Sequence, residues 1–306
     1  MNQPEFKPPE LKQAKALTIT YLTPVSFASL NGSDKEADNI SSIKKIAQGV
    51  DQYPYVSSQA VRRALRNQLE TLGWKLSEGA AAKIEKGAAT TQQDPDTYID
   101  DDLFGYMGTE SATESTKGKS TKRTSVIRVS PLIALTPYLG DLDFGTNYMG
   151  VKAGGDPNIF ETEIHSGLYR GTILIELDRV GCGDGFKNEL KATERAERTM
   201  ALLSALKNLW TSGRQSRFLA DISPKFVAAA IMTVKNPIFL ESIRIEENAT
   251  INEAMLKETI ADYRHEIVAS VIGIRTGAFG GMIEKPVTIG EAFDTMAEWV
   301  KKYYEV

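Results

Sequence analysis

The chain has one cysteine, Cys182, and two histidines, His165 and His265, among 306 residues. A lone thiol excludes an intramolecular disulfide and any Cys-based zinc site within one chain, and it points to a reduced, cytoplasmic setting. No stretch approaches the ~18–20 apolar residues that span a bilayer, so no membrane partner is expected. The start of the chain, Met1 to Glu10, lacks the apolar core of an export signal and reads as part of a flexible tail over residues 1–15. There is no internal repeat, Walker loop, dinucleotide fingerprint or Ser/His/Asp arrangement. Gly181-Cys-Gly-Asp-Gly185 lacks the lysine of a phosphate loop and reads as a turn at a strand end. Net basic charge is missing too. Thirty-six Lys and Arg against forty Asp and Glu give −4, which excludes a surface coated with positive charge.

The charge is unevenly spread. Residues 241–306 hold twelve acids and seven bases, whereas Arg198 to Ala220 holds no acid at all. That acid-free window contains the densest polar cluster of the chain, Ser212-Gly-Arg-Gln-Ser-Arg217. It follows a helix expected from about Glu194, with Met200, Leu203, Leu206 and Leu209/Trp210 on its buried face and Gly213 at its end. Capping needs neither Arg214, Gln215 nor Arg217. Guanidinium and amide donors suit phosphate oxygens and base edges.

Period-2 patterning predicts strands at Ala16–Pro24, Leu168–Leu177, Phe226–Val234 and Val268–Ile274, with a further strand at Ile238–Ile245. Ser125–Leu139 reads as extended structure broken by Pro131 and Pro137. Helical spacing predicts helices from Ser57/Ser58 to Gly73, with Val61, Leu65, Leu69 and Leu72 as the buried stripe, and at Glu253–Ile267 and Ile289–Tyr304. Lys75–Thr124 is poorly patterned, and its Ser111–Thr124 half reads as a mobile loop. The order of elements fits an α+β fold with a mainly antiparallel sheet and helices on one face.

Several clusters invite chemistry. Arg62, Arg63 and Arg66 sit near the start of the first helix, where cations gain nothing from the dipole. They suit a phosphate clamp supported by Ser57, Ser58 and Gln59, or else a solvated face near Glu70. Lys117, Lys119, Lys122, Arg123 and Arg128 form an acid-free run, read as flexible surface or a non-specific backbone contact. Asp100-Asp-Asp102 carries enough charge for a divalent ion, although three consecutive positions converge only in a tight loop. His265 falls in a helical pattern, and His165 reads as a loop contact rather than a catalyst. No metal or cofactor is expected.

Together, Tyr55–Arg66, Asp101-Asp-Leu-Phe-Gly-Tyr-Met107, Phe160–Gly171 and Ser212–Pro224 resemble the DevR-type RAMP proteins of the Cas seven family. These form the backbone of Cascade-type CRISPR complexes, and the likeness is greatest to the type I-B version. The resemblance implies an RRM-like (ferredoxin-like) palm over 16–74, 125–140 and 168–306, a fingers insertion over 75–124 and a thumb over 141–167. It implies a non-catalytic subunit that polymerises as a helical filament along guide RNA (crRNA), presents it to target DNA, and meets end-capping and large subunits. RNA contacts are expected from Asn31, Lys44, Lys45, Ser58, Gln59, Arg62, Arg63, Arg66, Ser212, Gly213, Arg214, Gln215 and Arg217. Thumb residues Met149, Ile159, Phe160 and His165 are the candidates to displace a base. The aromatic strand motif of ordinary RRMs is absent, so stacking on the sheet face is not expected. Two rival readings are a RAMP endoribonuclease using Asp34, Asp38 or His165, and a free-standing RNA-binding protein.

Overall fold

The computed structural model describes residues 9–32, 40–77, 83–85, 88–109, 120–149, 151, 154–155, 157–211, 217–246, 249–280 and 283–306. Strand β1 (Ala16–Ala28) is its spine, and every residue from Ala16 to Thr23 is buried. Strands β2 (Ile40–Ser41), β3 (Lys45–Gln48) and β4 (Asp51–Val56) lead into helix α1 (Ser58–Thr71). Ser57 caps α1, its Oγ accepting from the Ala60 N–H at 3.3 Å. Val61, Ala64, Leu65 and Leu69 form the buried stripe, and Gly73, at φ +89°, lets the chain turn away.

Next come a small hairpin, β5 (Lys83–Glu85) with β6 (Ala88–Thr90), a short helix α2 (Ile99–Phe104), and a second hairpin, β7 (Tyr106–Thr109) with β8 (Ser120–Arg123). Strands β9 (Ile127–Val129) and β10 (Leu132–Ala134) both pair antiparallel with β13 (His165–Glu176); between them in sequence projects the hairpin of β11 (Leu142–Asn147) and β12 (Asn158–Glu163). The chain ends with α3 (Ala192–Lys207), β14 (Phe226–Met232), α4 (Glu253–Asp262), β15 (Ile267–Ile274) and α5 (Ile289–Tyr304).

The main sheet runs β15-β14-β1-β13-β10-β4-β3, with β9 also on β13. Taking β9/β10 as one interrupted strand, the central order is fourth, first, third, second, with α1 and α3 as the two crossovers. That is the ferredoxin-like arrangement. The interruption has a local cause. Pro131 has no N–H for the ladder, and beside it the Ser130 hydroxyl, in place of a backbone carbonyl, accepts from the Thr172 N–H at 2.8 Å. Leu17, Ile19, Tyr21, Ile173 and Ile175 share one core with residues of α1, α3 and α5. Leu22, Phe226, Ala228, Ala230 and Met232 pack on the other face against Ile238, Phe239, Ile243, Ile251 and Leu256. Both faces of the central strands are therefore covered.

The structure departs from the sequence expectations in four places. Residues 238–245 form turns that cover the sheet rather than a strand. Helix α3 stops at Lys207 with Asn208 as its C-cap, before Gly213. His265 lies in the turn after α4, its Nε2 accepting from Arg264 Nε. The acidic run Asp100–Asp102 is fully buried in α2. Asp100 accepts from the Ser77 N–H at 2.9 Å and Asp101 from the Asp94 N–H at 2.9 Å. Asp102 binds Arg123 Nη2 at 2.6 Å, Arg198 Nη1 at 2.9 Å and the Gly181 N–H at 3.0 Å. Burial alone pushes the Asp102 carboxyl toward its neutral form; the two guanidiniums and the Gly181 N–H oppose this. Arg123 also donates to the carbonyls of Asp102, Arg179, Cys182 and Asp184, and Arg198 to those of Pro95 and Asp96. Three carboxylates that resemble a cation site are thus hydrogen-bonded internally.

A second network closes the far end of β13. Burial disfavours ionisation of Glu176, yet Lys235, Arg179 and Arg128 outweigh it and hold the carboxyl down at about 2. The contacts are 3.0 Å to Lys235 and Arg179, and 2.7 Å to Arg128.

Two stability predictions follow from these networks. Arg123→Met strands the carbonyls of Arg179, Cys182 and Asp184 and leaves Asp102 half compensated, which costs about 3–5 kcal/mol. In urea unfolding, exposed Arg63→Met stays within about 0.5 kcal/mol of wild type; similar midpoints for the two variants would refute the hub. Glu176 has a depressed folded-state pKa. Its contribution is complete above the unfolded value of 4.5 and is lost as pH falls toward 2. The stability gap between wild type and Glu176→Gln therefore narrows by about 2 kcal/mol between pH 5 and pH 2, short of the full shift because Arg128 and Lys235 are partly solvated. A pH-independent gap would show that the network carries no linkage.

Candidate nucleic-acid interface

The expected RNA contacts divide into three places. The first surrounds the start of α1. The Asn31 side-chain oxygen accepts from the Ser57 N–H at 2.9 Å, while its carbonyl accepts from the Lys44 N–H at 2.9 Å. The Lys44 carbonyl in turn accepts from the Tyr55 N–H. Asn31, Lys44, Ser58 and Gln59 are thereby brought to one locus at the first helical turn. Gln59 and Arg63 are exposed there, and Lys44 makes no ion pair among the described residues. The Asn31 side-chain oxygen is already committed to the backbone.

Arg62 and Arg66 turn away from solvent. Arg62 donates to the Phe104 carbonyl at 2.5 Å and to Ser125 Oγ at 3.3 Å. Both guanidiniums lie over the Phe104 ring, at 5.3 and 4.1 Å from its centroid. Burial, with Arg66 and Arg128 nearby, lowers the Arg62 pKa to about 10. Neither sequence reading, clamp or solvated face, describes these two side chains. They fasten α1 to α2, and only Arg63 keeps the outward position expected of a clamp. Lys45 is also committed, to Glu163 at 2.6 Å and over the Tyr138 ring at 4.5 Å. In the basic run, Arg123 belongs to the buried hub, Arg128 is held by Glu176, and Lys122 is exposed. Lys117 and Lys119 lie outside the described residues, as do Asp34 and Asp38.

The second place is the loop after α3. Ser212, Gly213, Arg214 and Gln215 lie outside the described residues. Arg217 reaches the hairpin: its Nη2 meets the Asp143 carboxylate, its Nη1 lies 3.2 Å from Thr162 Oγ1, and its guanidinium stands 4.6 Å from the Phe160 ring and 5.0 Å from the Phe218 ring.

The third place is that hairpin, β11–β12. Its register puts Asp143, Phe160 and Thr162 on the Arg217 side, and Leu142, Phe144 and Ile159 on the other. Gly145 makes the first side possible, because a Cβ there would stand 2.5 Å from the Phe160 ring. Phe160 is therefore folded in beneath Arg217 rather than presented as a wedge. His165 is buried, its Nδ1 bonded to the Tyr169 hydroxyl at 2.8 Å, and desolvation lowers its pKa. It cannot reach a base or act at the surface. Met149 at 86% exposure and Ile159 at 47% remain outward, joined by Phe144 and Tyr148. These two went unnoticed in the sequence, although the alternation Leu142, Phe144, Thr146 was there to find them.

The three places adjoin. Glu161 and Thr162 of β12 pair with Ile40 and Ser41 of β2, so the 40–45 segment lies along one edge of the hairpin strand that Arg217 meets. An open cleft of about 750 Å³ lies beside Gly167 and Leu168 near the hairpin base. Its lysine, Lys225, is taken by Asp221 at 2.7 Å and by Ser223, and Glu246 adds negative charge, so the cleft does not suit a phosphate.

Comparison with known proteins agrees with this architecture. Residues 19–253 match the family described as CRISPR-associated negative auto-regulator DevR/Csa2. CRISPR-associated protein Cas7/Cst2/DevR of Myxococcus xanthus (strain DK1622) is 30% identical over 220 residues, 68% of each chain. A chain of a pre-nicking CRISPR RNA-guided surveillance complex has the same fold at TM-score 0.64 and 13% identity, covering 93% of this chain and 100% of its own. Another, from a CRISPR RNA-guided surveillance complex, gives TM-score 0.58 at 15% identity, covering 92% and 98%. The family match takes in α1, the hairpin, β13 and the Arg217 loop, and on that span the chain belongs to the DevR/Csa2 family of CRISPR-associated proteins.

Proposed function

We propose that this chain is the crRNA-binding backbone subunit of a type I Cascade complex, assembling head to tail along the guide and holding it for pairing with target DNA. The main support is the family match, whose span of residues 19–253 takes in β1, α1, the hairpin, β13 and the loop of Arg214 and Arg217. The surface fits a protein that grips any spacer. Gln59, Arg63 and Lys44 around the α1 N-terminus, with the Arg214–Arg217 loop, supply phosphate donors rather than a base-reading pocket. Both faces of the central sheet are covered, so bases are not stacked there. Met149, Ile159, Phe144 and Tyr148 give the thumb an apolar end able to sit beside an unstacked base. A filament of identical chains needs two different complementary faces, an open heterologous symmetry.

The role is structural rather than catalytic in this reading. His165 is enclosed and His265 lies on the surface beside Arg264, while Asp34 and Asp38 of the endoribonuclease reading lie outside the described residues.

The test is RNase protection of RNA co-purified after expression with a matching CRISPR array. A ladder of protected fragments at a regular interval is expected, lost in Arg214→Ala/Arg217→Ala. Discrete cuts within the RNA would favour the endoribonuclease, and a single protected footprint the free-standing binder. In a second prediction, Lys44→Ala/Arg63→Ala weakens binding equally for all RNA sequences and lowers the log–log salt slope by about 1.4, the value for two single-strand phosphates. Sequence-dependent losses would place these residues at bases instead.

A further inference from the structure

Two expected RNA contacts are bound to the hairpin, Lys45 through Glu163 and Arg217 through Asp143, and Arg217 is the one that comes from the loop after α3. Phe218 is buried and meets Phe27 edge-on at 5.5 Å, so it anchors the base of the arginine in the palm. The guanidinium extends to the hairpin between the Phe218 and Phe160 rings. With aromatic rings near the guanidinium, its N–H edge is what remains for hydrogen bonding. Nη1 and Nη2 of that edge are directed to Thr162 Oγ1 and Asp143. A phosphate bound end-on, across Nη1 and Nη2, would need the same two atoms.

We propose that Asp143 is a competing anion that latches Arg217 to the thumb hairpin, so that an RNA phosphate taking the Nη1/Nη2 edge of Arg217 must release this contact. Asp143 is then a positioning residue that couples guide binding to thumb release. The inference rests on the RNA-binding reading above. Energetically the exchange is easy. The side chains of Arg217 and Asp143 are 35% and 31% exposed, so the pair is partly solvated and weak. Phosphate and carboxylate form the same kind of charge-assisted bond to a guanidinium. Arg217 thus exchanges one anion for another while its aromatic supports hold it in place, and the hairpin loses a tie on its Phe160 face. Lys45–Glu163 and the β2–β12 pairing keep its base attached.

A double-mutant cycle on the full chain tests this, using anisotropy of a short labelled single-stranded RNA with wild type, Asp143→Asn, Arg217→Gln and the double variant. Asp143→Asn should tighten binding about three- to fivefold in the wild-type background. It should change nothing in the Arg217→Gln background, because the coupling runs through that one side chain. Equal tightening in both backgrounds would mean that Asp143 only adds general repulsion, and no change or weaker binding would make the contact a plain brace; either overturns the latch. If wild type itself binds no RNA, the RNA-binding reading fails and the latch with it. If wild type binds and the cycle shows no coupling, the latch alone fails.

Discussion

The buried contact of Asp102 with Arg123 and Arg198 is the constraint on which the rest of the molecule depends. It joins three distant parts of the chain, α2, β8 and α3, at one carboxylate. Hydrophobic burial could bring these segments together but would not fix their register. Seven further hydrogen bonds, from the two guanidiniums and the Gly181 N–H to fixed partners, do so. Two buried guanidiniums around one carboxylate are costly in desolvation, which is offset because Arg123 donates through Nε, Nη1 and Nη2 and Arg198 through both Nη atoms, leaving only Arg198 Nε without a partner on these two side chains. With α2 fixed, Phe104 and Asp100 are in place to receive Arg62 and Arg66, and α1 presents Gln59 and Arg63 outward.

This explains which parts of the chain were legible in the sequence. The strands β1, β13 and β14 and the helices α1 and α5 follow from apolar spacing and caps, because each buries one continuous face or lies wholly inside; α5 begins and ends at the expected Ile289 and Tyr304. The fate of a charge is a different matter. Arg63 and Arg66 differ in environment only because Phe104 stands beside one of them, some forty residues along the chain. Asp102 is paired with Arg198, ninety-six residues away. Local pattern carries no trace of such partners, so the inward turn of Arg62 and Arg66 and the burial of the acidic run could not be read from the sequence, while the helix that carries the arginines could.

The candidate interface follows the same logic. Its grip comes from groups that the fold leaves outward after the structural pairs have been made. Lys45, Arg62, Arg66, Arg123 and Arg128 are spent within the chain. The groups proposed to grip RNA are Lys44, Gln59 and Arg63 around the α1 N-terminus, with Arg214 and Arg217 of the loop after α3. In that proposal a chain with net charge −4 holds a polyanion through a local set of donors rather than through its whole surface. The hairpin is held by Arg217 on one face and by the Lys45–Glu163 pair on the other, so in the proposed reading RNA bound at Arg217 and the position of the hairpin are coupled.

The most direct test of the central claim is native mass spectrometry of the chain with single-stranded RNAs of increasing length. A backbone subunit predicts that bound copies rise in steps, one per fixed increment of nucleotides, without limit other than the RNA. One copy bound whatever the RNA length would contradict the account.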